Sequence, residues 1–176
     1  VITLVSDDKA FQKTSRRSRV CPEVKRYHIG KNILTQTEQH LKKYGRKRSE
    51  ALVFWAGWLD KKCEAHVTTC KIPRNINWGM GVRVELDGML ELMDELIAED
   101  LVLLTQVHSH PGDFGHSHGD EKTAASYKKG FVSIVVPNFG LVDLNDLSEC
   151  YVYEYSDNWD WRRIEGNELM ERFRIE

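Results

Sequence analysis

Long apolar runs are what this chain most clearly lacks. No stretch of its 176 residues approaches the roughly 18–20 apolar residues that a membrane-spanning helix needs, and no membrane partner is expected. Val1–Val5 is short and runs into Asp7-Asp8, so no signal-peptide core is visible. Cysteine is scarce and unpaired in pattern: Cys21, Cys63, Cys70 and Cys150 form no C-x-x-C. That excludes a zinc-knuckle pattern and does not look like a disulfide framework. Cys63 and Cys70 could face one another across a sheet or be plain core thiols; core thiols are expected, and a reducing cytoplasm is the default compartment. Repeats and low-complexity linkers are also missing. The length suits one domain over residues 1–176, with 1–30 a basic N-terminal segment.

The net charge of −2 conceals an asymmetry. Residues 1–50 hold 13 Lys and Arg against 5 Asp and Glu, whereas the remainder holds 12 against 22. The clusters are Arg16-Arg17-Ser18-Arg19 and Lys42-Lys43-Tyr44-Gly45-Arg46-Lys47-Arg48. Only Tyr44 interleaves an aromatic with this charge, so nucleic acid is not the expected partner and a solvated helix face is.

Apolar spacing predicts a helix over Asn32–Tyr44, with Asn32 as N-cap and Gly45 as its stop. Ala51–Leu59 reads as a buried strand, Asp60–Lys62 as a turn and Glu64–Lys71 as the returning strand. Ile72–Val84, with Pro73, Gly79 and Gly81, reads as an exposed irregular loop. Leu86, Met89, Leu90, Met93 and Ile97 mark one helical face, expected in the core. Leu101–Val107 is the clearest strand, and Phe131–Pro137 and Cys150–Tyr155 are two more. Gly119–Lys129 reads as a helix stopped by Gly130. Weaker strand signals lie at Val1–Val5 and Lys25–Ile29, and the segment from Trp159 to Glu176 reads as a strand and terminal helix. The alternation of these elements predicts a three-layer α/β domain.

The chemistry gathers after the Leu101–Val107 strand, in His108-Ser109-His110-Pro111 followed by Ser117 and Asp120. Side chains two residues apart on an extended segment point the same way, so both imidazoles can face one ion. A carboxylate ten residues later completes an N/N/O set. Three protein ligands leave a fourth position for water, the mark of a catalytic zinc centre rather than a closed one. Ser117-x-x-Asp120 also has the form of a helix capping box. Asp113, His116 and His118 lie nearby; the two histidines are expected at the rim rather than as a second metal site.

The order His-x-His-Pro…Ser-x-x-Asp resembles the JAMM (MPN-plus, Mov34/JAB) metalloprotease motif. Glu50-Ala51-Leu52-Val53-Phe54-Trp55-Ala56-Gly57, beginning 58 residues before His108, resembles the family's upstream glutamate and glycine. The resemblance implies a three-layer α-β-α, cytidine-deaminase-like (JAB1/MPN) domain with a mixed central sheet. It implies Zn2+ on His108, His110 and Asp120, Glu50 as general base and Ser117 as donor to the oxyanion or water. The implied activity is an isopeptidase or peptidase that removes a ubiquitin-like protein from conjugates or trims its tail. The tail would lie along Asn75–Val84, against Trp78, Gly79, Met80 and Gly81. Stand-alone bacterial members sit beside ubiquitin-like conjugation or antiphage defence genes, which would add E1- or E2-like partners. One departure stands out: five residues separate Pro111 from Ser117, where the family more usually has six. Two other readings are a silent MPN-type binding scaffold and a metal-dependent hydrolase of a different substrate. The intact five-residue set argues against the scaffold.

Overall fold

The computed structural model describes residues 17–18, 21, 23–78, 81–156 and 160–176. Val1–Val5, Arg16, Arg19, Gly79, Met80 and Trp159 lie outside the described residues, as does the side chain of Trp78.

The fold is built on β3 (Leu52–Asp60), whose residues alternate between two helical layers. Val53 and Trp55 face α1 (Lys31–Gly45), in a large cluster with Ile33, Leu34 and Leu41. Trp55 is fully buried and donates its indole N–H to Thr37 Oγ1 at 2.8 Å. Phe54 and Ala56 face the opposite layer, meeting Leu92 and Leu96 of α2 (Leu86–Ala98). Helices thus cover both faces, as the three-layer reading requires.

Next to β3 on one side are β4 (Glu64–Lys71) and β2 (Arg26–Ile29), with β11 (Phe173–Ile175) beyond them. On the other side lie β7 (Val102–Ser109), β8 (Val132–Val136), β9 (Tyr151–Tyr155) and β10 (Trp161–Ile164). The pairs β7–β8, β2–β4 and β2–β11 are parallel and the others along this path antiparallel, so the sheet is mixed. β1 (Arg17–Ser18) pairs with the end of β3. Gly57 sits where the β3–β4 register shifts, and a Cβ there would stand 1.9 Å from the His66 carbonyl oxygen. Only glycine fits so close an approach.

Several expectations need correction. The α1 helix is capped at Gly30, not Asn32; its first N–H, on Lys31, donates to the Glu176 carbonyl at 2.9 Å. A backbone partner from β11's end replaces the side-chain cap. The Ile72–Val84 segment is not irregular but an antiparallel hairpin, β5 (Asn75–Trp78) with β6 (Gly81–Val84). The helix after the motif, α3, covers only His118–Lys122, because the Ala125 N–H is taken by Gln106 Oε1 at 2.9 Å. Cys21 and Cys63 form a disulfide, Cα–Cα 5.5 Å, within the bridging range. The parallel β2–β4 pairing brings them together, helped by Lys25 N–H on the Cys63 carbonyl at 2.9 Å. The cysteines therefore no longer argue for a reducing compartment; Cys70 and Cys150 remain thiols.

The α2 stripe is the largest correction. Gly88, Leu92 and Leu96 are its buried residues, whereas Leu86 is 75% and Ile97 72% exposed, with Leu90 and Met93 exposed between them. The face turned inward is the one that seats Leu92 and Leu96 against Phe54 and Ala56; the acidic side lies along Arg74, which reaches Glu85 and Asp87, and Lys71, which reaches Glu95 and Glu99. Gly88 also packs so tightly on Arg74 that a Cβ would lie 2.5 Å from the Arg74 carbonyl oxygen. Among the described residues no helix is long and apolar enough to cross a membrane.

Candidate metal centre

Strand β7 delivers His108 within its last turn of pleat and His110 just past its end, both buried. The backbone holds them: His110 N–H donates to the Val136 carbonyl on β8 at 2.9 Å, and Phe139 N–H donates to the His110 carbonyl at 2.6 Å. Asp120 reaches the pair from α3. Its Oδ1 lies 3.2 Å from His108 Nε2 and its Oδ2 3.2 Å from His110 Nε2, while the two Nε2 atoms are themselves 3.2 Å apart. Ligands of a four-coordinate zinc, about 2.0–2.1 Å from the ion, stand about 3.3–3.4 Å from one another. The three side chains therefore fit a single divalent ion, and they are the one group of this kind among the described residues.

Glu50 is buried on the segment entering β3. The antiparallel register sets Leu52 opposite His108, and two hydrogen bonds continue the pairing: Ser109 N–H to the Ala51 carbonyl, 2.9 Å, and Ala51 N–H to Ser109 Oγ, 3.0 Å. One step further puts Glu50 level with His110. Burial pushes the Glu50 carboxyl up to about 7, with His110 opposing and Asp120 reinforcing the rise. Asp120 behaves oppositely. Burial alone would raise it, but hydrogen bonds from His108 and His110 hold it far below the usual carboxylate range. For His110 burial pulls downward, and Asp120 and Glu50 outweigh it, so its pKa is raised. One carboxylate is thus fixed as an anion and the other holds a proton near neutrality, the division expected of a ligand and a base.

Ser117 forms the expected capping box, its N–H donating to Asp120 Oδ2 at 2.6 Å and its Oγ accepting from Asp120 N–H at 3.3 Å. The box orients the Asp120 carboxylate. Hairpin β5–β6 stands beside Glu50, since Asn77 Nδ2 donates to the Glu50 carbonyl at 2.7 Å. Of the expected tail-binding residues, Trp78 and Gly81 pair across this hairpin in backbone register. The ring of Phe114 lies 4.7 Å from that of His110.

His118 is exposed, as a rim residue should be, but His116 is not at the rim. Its ring stacks on Tyr153 at 4.0 Å, and its Nε2 lies 2.8 Å from Ser133 Oγ. Burial, then the charge of His108, lowers its pKa to about 3. Sequence reading missed Asn77, Gln106, Ser133 and Tyr153. A signal was present for two of them: Gln106 and Ser133 are polar residues inside apolar strands, which a buried hydrogen-bonded pair explains.

The α-β-α domain thus brings two histidines and an aspartate together at metal-ligand spacing beside a buried glutamate. No family model matches the chain. A probable metalloprotease, y4jG, from Sinorhizobium fredii is 27% identical over 145 residues, 81% of this chain and 89% of the relative. Two solution structures share the fold. A protein from Desulfitobacterium hafniense matches at TM-score 0.61 and 13% identity over 85% of this chain and 92% of its own. One from Salinibacter ruber matches at 0.53 and 17% over 79% and 92%. A JAB1/MPN domain protein from Archaeoglobus fulgidus overlays more loosely, TM-score 0.46 at 13% identity over 85% and 95%. In motif order the chain resembles the JAMM/MPN-plus family.

Proposed function

We propose that this chain is a zinc-dependent isopeptidase or peptidase that removes a ubiquitin-like protein from conjugates or processes its C-terminal tail. The observation that carries the reading is the convergence of His108, His110 and Asp120 at 3.2 Å spacing with Glu50 level with His110. A divalent ion held by these three residues would acidify a water and polarise an amide carbonyl. Glu50, near neutrality in its protonation, takes a proton from the attacking water and hands it to the departing amine nitrogen. Ser117 donates its hydroxyl to the developing oxyanion. The main chain at His108 is held in the β7–β8 ladder, and that at His110 by bonds to β8 and the turn after it.

Two features support a protein as substrate. Hairpin β5–β6 stands against the base and offers backbone groups to which an extended tail can add as a strand. The exposed Leu86, Leu90, Met93 and Ile97 lie on the helix that follows it, edged by Asp87 and Asp94. Contiguous apolar surface of this kind marks a protein contact, and the acidic edge suits a basic-rimmed modifier. E1- and E2-like proteins of the same conjugation system are further expected partners.

The test is cleavage of a ubiquitin-like fusion by zinc-loaded protein, beside Glu50→Gln and chelated samples. Cleavage after the modifier's last residue, absent from both controls, is the expected result. Zinc bound without cleavage of any fusion would overturn the substrate assignment, and no bound zinc would overturn the metal centre.

A further inference from the structure

The loop from Gly112 to His116 is one residue shorter than its resemblance implies, yet Asp120 still reaches both histidines. The described contacts show how. Tyr151 donates its hydroxyl to Asp113 Oδ1 at 2.9 Å. Gly115 passes so close to Tyr153 that a Cβ would stand 2.0 Å from its hydroxyl oxygen. His116 donates its backbone N–H to that same oxygen at 3.4 Å, and its ring stacks on Tyr153 and meets Trp161 edge-on at 4.9 Å. The loop is therefore pressed onto β9 rather than arched over solvent.

A buried polar chain anchors this loop from below. Ala125 N–H donates to Gln106 Oε1 at 2.9 Å, which fixes the amide with Nε2 toward Ser133. Gln106 Nε2 donates to Ser133 Oγ at 3.0 Å, leaving the serine's own proton for His116 Nε2, 2.8 Å away. With Nε2 as acceptor His116 is committed to Ser133, and its Nδ1 is buried with no hydrogen-bond partner among the described residues. Gln106 lies two residues before His108 on β7, and Ser133 faces it across the β7–β8 ladder. The chain thus grips the protein on both sides of α3, at His116 before it and at Ala125 after it. A five-residue helix has little stability of its own. Held at both ends, it can present Asp120 in one place.

We propose that His116 is a positioning residue for Asp120, acting through Ser133 and Gln106, and that it fixes the ligand carboxylate rather than binding metal itself. The proposal rests on the metal centre described above. Outer partners that orient metal ligands are commonly worth about 10–100-fold in metal affinity, and the same range is expected here.

The experiment measures zinc affinity by chelator competition, and the visible spectrum of the cobalt-substituted protein, for wild type, His116→Phe, Ser133→Ala and the double variant. His116→Phe keeps an aromatic ring for Tyr153 and removes the acceptor; Ser133→Ala removes one oxygen and guards against a folding failure of the first. Each single variant should fall about tenfold or more in affinity and alter the cobalt spectrum. The double variant should fall little further, as expected for residues acting as one unit. His116→Gln, which restores an acceptor, should recover part of the loss. Unchanged affinity and spectrum in folded single variants would overturn the proposal, and so would fully additive losses. Failure of wild type itself to bind zinc would overturn the metal centre instead, so the two failures are distinguishable.

Discussion

Replacing Glu50 with glutamine should abolish turnover and make the metal-free protein more stable. The buried carboxyl is raised from 4.5 to about 7, and at 1.36 kcal/mol per unit the folded state carries about 3 kcal/mol of penalty once that group is ionised. The sign follows from linkage. A raised carboxyl binds its proton more tightly in the folded than in the unfolded chain, so below about 4.5 both states are protonated and nothing is lost. As pH rises from there to about 7 the unfolded chain ionises first, and stability falls until the folded group ionises as well. Glutamine has no charge to desolvate. Urea unfolding in excess chelator should therefore find Glu50→Gln level with wild type near pH 4.5 and up to about 3 kcal/mol more stable at pH 8. Zinc should narrow the gap, because a nearby cation relieves the buried anion. Turnover of the zinc-loaded variant should fall by about 10²–10⁴, the usual worth of a general acid–base. A variant less stable than wild type at pH 8 in chelator, or a gap that does not change with pH, would refute the reasoning.

Other perturbations test other parts of the molecule. Arg172 and Glu154 form a buried pair at 2.5 Å, and Arg172 also donates to the Val24 carbonyl. Arg172→Met should cost about 1.5–3 kcal/mol in urea unfolding, because Glu154 keeps only the half-exposed Arg162, at 2.9 Å, as a partner and the Val24 carbonyl loses its donor; a loss under about 1 kcal/mol would show the pair to be solvated. For His28, burial pulls the pKa down but the hydrogen bonds it donates to Glu176 and Glu64 outweigh it, so the folded value is raised. Its contribution is fully present below about 6.5 and lost as pH climbs through the folded value. The stability gap between wild type and His28→Gln should be wider at pH 6 than at pH 8, and the reverse trend would contradict the sign. Leu90 is exposed on α2, so Leu90→Asp should change stability by less than about 0.5 kcal/mol. If that face meets the substrate, KM for a ubiquitin-like fusion should rise several-fold, while hydrolysis of a short tail peptide is unchanged; equal effects on both would place the contact elsewhere.

Much of the architecture was legible from short-range signals. The positions Ile33, Leu34, Thr37 and Leu41 on α1 follow from periodicity, because one face of that helix is buried, whereas β3 and the strand leading to His108 follow from apolar runs, because both their faces are covered. The grouping of His108, His110 and Asp120 was legible for a similar reason. Two histidines at i and i+2 on a strand, and an aspartate at the third helical position behind a capping serine, have their directions set by local geometry.

What tertiary structure alone decided are the quantities that depend on distant partners. Periodicity marks a stripe on α2 but not which side turns inward; the packing of Leu92 and Leu96 on Phe54 and Ala56, and of Gly88 on Arg74, settled that and left Leu86, Leu90, Met93 and Ile97 outside. No spacing rule joins Cys21 to Cys63, since it is the parallel β2–β4 register that brings them within bridging distance. Glu50's raised pKa needs its burial beside Asp120. His116 reads as a loop residue until Ser133 and Tyr153 appear beside it from two strands further along the chain. Local sequence specifies what a residue can do through its own backbone. Rotation about a helix axis, ionisation and long-range pairing are set by neighbours that only the folded chain supplies.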